Sequence, residues 1–188
     1  MPEVGTPPYE MLLAVVDFIK REDRADLSLR QLAVGAGTSH RMLGYYFGTR
    51  EQLLGLVMLQ LSQEYMAHYQ GRRPDTRVEA VTLVWARFLE PSNRLQTQLL
   101  FVLSSAAAAH PEIEIPALTN DLDNLARGLT ALGVNEGLEP ARSAREARLI
   151  VATLLGLYLD YYITRESGQV DDSYLALVEW VERSTASP

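Results

Sequence analysis

Apolar residues recur along this chain every three to four positions, which is the period of an α-helix and not of a strand. Leu12, Val15, Val16 and Ile19 form one face of a first helix, which Pro8 opens. Leu29, Leu32, Ala33 and Ala36 mark a short second helix ending near Gly35, and Leu43 and Phe47 a third over residues 40–47. A longer fourth helix runs from Arg50 to about Gln70 on Leu53, Leu54, Val57, Met58, Leu61 and Tyr65, with Gly71 and Pro74 as its stop. Val78, Val81, Val84, Trp85 and Phe88 face inward on a fifth, over about 75–89. Ser92 opens a sixth, which runs to about Ala109. A seventh follows the loop PEIEIP to about Leu132 and ends at Gly133. An eighth runs to about Arg165, with Ser143 and Glu146 as a capping box in its first turn or at its true start, and a ninth covers 173–184. No segment alternates with period two, so the expected fold is all-α with about nine helices.

Residues 28–54 hold the densest set of local signals. Ser28 with Gln31 has the capping-box spacing, and Thr49 with Gln52 repeats it. Ser39 caps the third helix, and Gly37 supplies the turn before it, where a positive φ suits glycine. A helix, a glycine turn and a second short helix with a narrow apolar seam describe a helix-turn-helix, whose second helix enters the DNA major groove. The remaining positions of the third helix are His40, Arg41, Met42, Gly44, Tyr45 and Tyr46. Arginine reads guanine bidentately, and arginine or a tyrosine hydroxyl holds a phosphate.

Charge changes this picture only at first sight. The net charge is −7, an unpromising value for a nucleic-acid binder. Residues 1–50, however, carry six basic and six acidic groups, and the other 138 residues carry 11 basic and 18 acidic, which is the whole −7. Residues 27–50 contain no Asp or Glu and carry Arg30, Arg41 and Arg50. An acidic body steers DNA away from every face but this one.

The stretch from Met11 to about Leu54 resembles, without gaps, the TetR-type transcriptional regulators. Ala14, Leu32, Ala33, Gly37, Ser39, Leu43, Phe47 and Arg50 fall on the family pattern. Asp23 departs from it, standing where a glycine usually closes the first helix, and Gly44 stands where a tyrosine usually faces DNA. The resemblance implies a helix-turn-helix domain over residues 8–50 and an effector-binding and dimerisation domain over 51–188. It implies a homodimer whose last two long helices pair with their copies, and a double-stranded DNA operator with two half-sites. On this reading His40 and Arg41 read bases, and Ser28 and Arg30 sit at the start of the second helix, Arg30 for a further base or phosphate contact. Ser39, Tyr45, Tyr46 and Arg50 hold phosphates, and Gly44 belongs to the same surface. A small apolar or aromatic effector would release the DNA from a pocket in which we place Tyr65, Trp85, Phe88, Phe101 and Tyr158.

Other chemistry is sparse. The chain has no cysteine, hence no disulfide or thiolate metal site. Glu64 and His68 lie one turn apart and read as a surface pair. No nucleophile elbow, P-loop or dinucleotide motif is present, so no catalytic, metal or cofactor site is expected. The longest charge-free apolar run, Leu149–Leu159, is too short to span a bilayer, and no signal pattern opens the chain, so a cytoplasmic protein is expected. The eighth helix is apolar on most faces, which demands burial on more than one side, and Gly156 would permit close helix approach. Two rivals share the sequence pattern: an all-α ligand-binding or enzymatic bundle with a vestigial helix-turn-helix, and an activator using the same head.

Overall fold

The computed structural model describes residues 1–68, 73–165 and 167–186. Among these are nine α-helices, one 3-10 turn and no strand. The helices are α1 (Pro7–Glu22), α2 (Leu29–Gly35), α3 (His40–Phe47), α4 (Arg50–His68), α5 (Arg77–Leu89), α6 (Arg94–Ala109), α7 (Pro116–Asn135), α8 (Pro140–Thr164) and α9 (Ser167–Ala186). The expected stop of the fourth helix at Gly71 and the His68 side chain lie outside the described residues.

Most boundaries follow local chemistry. Prolines occupy the first turns of α1 and α8, where a missing N–H costs nothing. Asp23 ends α1 in the left-handed region, at φ 48°, and so takes the conformation that a glycine would adopt more easily. Thr76 caps α5 by accepting from the Glu79 N–H.

Three expectations need correction. The seventh helix does not end at Gly133 but continues to Asn135. Gly133 is there for packing: a Cβ would collide with the Ser143 hydroxyl and come within 3.2 Å of Arg77. Ser143 and Glu146 do not form a capping box. The helix opens earlier, at Pro140, with the Glu139 carboxylate accepting from the Ala141 and Arg142 N–H groups. Those two backbone bonds hold the Glu139 carboxyl below its ordinary value. The ninth helix is longer than the expected 173–184, running from Ser167 to Ala186.

The helices form two compact units, residues 1–71 with 91–120 and residues 72–90 with 121–188. The first unit reaches beyond the 8–50 segment because α4 and α6 share the core of the first three helices. Leu12, Val16, Leu32, Leu43, Leu54, Val57, Leu99 and Leu103 are buried in one cluster. The approach of α2 to α1 depends on Gly35, where a Cβ would meet the Phe18 ring. In the second unit Ile150, Val151, Leu154 and Tyr158 of α8 are buried, as are Val170, Leu177 and Val181 of α9.

The other face of α8 is exposed among the described residues. Leu149 (52% exposed), Leu159 (44%) and Ile163 (72%) stand on it, with Ala152 and Gly156 between them. By length and composition alone α8 is apolar enough to cross a membrane, with a mean hydropathy of 1.2. Arg145, Arg148 and Asp160 are exposed beside the apolar stripe.

Candidate nucleic-acid interface

The helix-turn-helix is built by its caps. The Ser28 hydroxyl accepts from the Gln31 N–H at 3.3 Å, and the Gln31 side chain accepts from the Ser28 N–H at 2.9 Å. Gly37 takes φ 67° in the turn, where any side chain would be strained. Ser39 then opens α3 by accepting from the Met42 N–H at 3.2 Å. Gly48, at φ 73°, closes α3, and a Cβ there would meet the Gln52 amide oxygen. That oxygen is in use, accepting from the Thr49 N–H at 3.0 Å while Thr49 accepts from the Gln52 N–H. Ser28 and Ser39 are therefore engaged as caps on the same surface where the sequence places DNA contacts.

With both ends fixed, the orientation of α3 follows from two anchors. Leu43 and Phe47 are buried in the first unit's core. The opposite side presents His40, Arg41, Met42, Tyr45 and Tyr46 to solvent, and Tyr45 is 79% exposed. The Tyr45 and Tyr46 rings meet edge to face at 5.0 Å. Arg30 is exposed on α2, and among the described residues neither Arg30 nor Arg41 forms an ion pair. Gly44 is half-buried, and a Cβ there would meet nothing within 4 Å. The arrangement is an exposed, acid-free surface with uncommitted guanidinium groups, suited to a polyanion.

Arg50 sits differently. Its Nε donates to the Leu27 carbonyl at 2.5 Å and one terminal nitrogen to the Ala25 carbonyl at 3.3 Å. The other pairs with Glu51 at 3.1 Å. These bonds tie the start of α4 to the segment between α1 and α2. The sequence match alone could not distinguish this clasp from a phosphate contact.

The five aromatic residues expected around an effector are divided between the two units. Tyr65 and Phe101 belong to the first unit, and both are half-buried. Trp85, Phe88 and Tyr158 belong to the second. There Phe88 and Tyr158 stack at 4.3 Å, and the Tyr158 hydroxyl donates to the Phe88 carbonyl at 2.9 Å. Trp85 stacks on Tyr174 at 4.9 Å. Tyr158 is fully buried, so these rings fill the unit's own interior. A surface depression in this unit is lined instead by Thr76, Val78, Glu136, Val181, Glu182 and Thr185.

A polar cluster beside that depression went unnoticed in the sequence. The Arg77 side chain is fully buried. It donates to Glu136 at 2.6 Å, to Glu146 at 2.7 Å and to the Ser184 hydroxyl at 3.0 Å. Arg142 holds the other Glu146 oxygen at 2.8 Å. Burial pushes the Glu146 carboxyl upward, but the bonds from Arg77 and Arg142 outweigh it and hold it below its ordinary value. The network ties together α5, α7, α8 and α9. Nothing in the sequence separates Arg77 from the chain's exposed arginines, because its three partners, Glu136, Glu146 and Ser184, lie far along the chain.

No family model and no curated protein matches this sequence. Solved structures do match its fold, two of them as follows. A crystal structure of the multidrug binding protein EbrR complexed with imidazole is 21% identical, with a TM-score of 0.60 over 96% of this chain and 94% of that one. Salmonella enterica GusR is 15% identical, with a TM-score of 0.58 over 96% of this chain and all of that one. Both likenesses span nearly the whole chain, and the chain has the all-α fold that the TetR-type resemblance implies.

Proposed function

We propose that this protein is a sequence-specific DNA-binding transcriptional regulator of the TetR type, acting as a homodimeric repressor in the cytoplasm. The observation that carries this reading is the exposed face of α3, held by two capped ends, free of acids and bearing Arg41 and His40. Arg41 and His40 read base edges, Arg30 makes a further base or phosphate contact, and Ser39, Tyr45 and Tyr46 hold phosphates. Arg50 acts mainly as a positioning residue, since the Leu27 and Ala25 carbonyls and Glu51 already engage it.

The uncovered stripe of α8, from Leu149 to Ile163, supports a second copy of the chain as partner, as a palindromic operator requires. A lone helix in a bilayer would be apolar on every side, whereas α8 keeps Arg145, Arg148 and Asp160 beside its stripe. A small apolar or aromatic effector is part of this reading because EbrR, whose fold the chain shares, is a multidrug binding protein complexed with imidazole. Because α4 shares one core with α1, α3 and α6, a displacement of α4 reaches the reading head directly. The effector releases DNA only to the extent that it binds the released state more tightly than the bound one.

The test is binding to a selected duplex at several salt concentrations. Replacing Arg41 by Ala should cost about 1–3 kcal/mol and relax preference at one base position. Replacing Arg30 by Ala should weaken binding and lower the salt slope by about one if Arg30 holds a phosphate. Wild-type affinity in both variants would show that α3 and the start of α2 do not read DNA.

A further inference from the structure

Most glycines in this chain have a reason inside the chain. Gly37 and Gly48 adopt positive φ, and Gly35, Gly55 and Gly133 have a neighbour where a Cβ would go. Gly44 has neither: its φ is ordinary and the space around its Cβ position is open. It lies in the interior of an eight-residue helix, where glycine is less stable than alanine. Gly128, Gly156 and Gly168 are equally open, but Gly44 alone among the four lies on the acid-free basic face.

A helical side chain leans toward the helix N-terminus and covers the turn before its own Cα. A side chain at position 44 would therefore lie over the turn that carries His40 and Arg41. Glycine leaves that turn bare, between the exposed Tyr45 and the buried Leu43 and Phe47. Resting on the DNA-binding reading above, we propose that Gly44 is a specificity determinant. It lets the edge of a base pair come against the α3 backbone, at a depth that brings His40 and Arg41 within hydrogen-bonding reach and that any Cβ would prevent.

The experiment compares the full-length wild type with Gly44→Ala and Gly44→Tyr on the duplex selected by the wild type, on an unrelated duplex, and in thermal melting. Gly44→Ala should melt no lower than the wild type, lose about tenfold or more affinity for the selected duplex, and keep its affinity for the unrelated one. Selection repeated with Gly44→Tyr should enrich a different base at one position of each half-site. Binding of Gly44→Ala to the selected duplex within about twofold of wild type would overturn the proposal and leave the DNA-binding reading standing. If the wild type enriches no duplex, the DNA-binding reading itself falls, and this proposal falls with it.

Discussion

Single residues hold this structure at a few points where sequence pattern and packing part company. Arg77 is the strongest case, a buried cation whose two carboxylate partners are themselves largely buried. Replacing Arg77 by Met would leave Glu136 and Glu146 unpaired and should cost about 3–5 kcal/mol in chemical denaturation. The same network sets a pH dependence. The folded Glu146 carboxyl lies below its ordinary value, so its contribution is present above that ordinary value and is lost as pH falls through the folded one. Unfolding free energy should therefore drop below about pH 5, and Glu146→Gln should flatten that limb. Gly35→Ala should cost about 1–3 kcal/mol by driving a methyl into the Phe18 ring. Asp23→Gly should stabilise by up to about 1 kcal/mol, because it relieves the left-handed φ and gives up only an exposed ion pair with Arg94. Sequence reading saw Asp23 as a departure at a helix end, and the structure supplies the reason it matters. It could not see Arg77 or the packing role of Gly133, because both depend on partners far away in the chain.

At the scale of elements, what is local was legible and what is tertiary was not. The caps at Ser28, Ser39 and Thr49 act through neighbours three residues on, and all three form. Leu43 and Phe47 are buried as their spacing requires, which fixes the outward face of α3. Ser143 and Glu146 have the same spacing as a true capping box, yet both are recruited elsewhere, Ser143 donating to the Thr130 carbonyl and Glu146 accepting from two arginines. The aromatic residues carried no signal to separate a pocket lining from a filled interior, and Trp85, Phe88 and Tyr158 are packed against other rings. The unusual composition of α8 was plain in the sequence, and its exposed stripe is where the proposed second copy would pack. Replacing Leu149 and Ile163 together by Glu should halve the mass measured by sedimentation equilibrium while leaving the helical circular dichroism intact. A wild type that sediments as a monomer would remove the two-fold partner from the account.

For the whole molecule, the decisive property is the distribution of charge. All of the −7 lies beyond residue 50, and the segment from Leu27 to Arg50 carries no acid at all. On the proposed reading such a molecule approaches DNA through one surface, and its affinity should fall steeply with salt because counterion release supplies much of it. The central claim is that this surface reads sequence. Its most direct test is selection from a pool of random duplexes at near-physiological salt, with no added small molecule. The account predicts enrichment of a palindrome whose half-sites lie about one helical turn apart. A folded, dimeric protein that enriches no sequence would contradict it and favour a ligand-binding bundle that keeps the helix-turn-helix without its use.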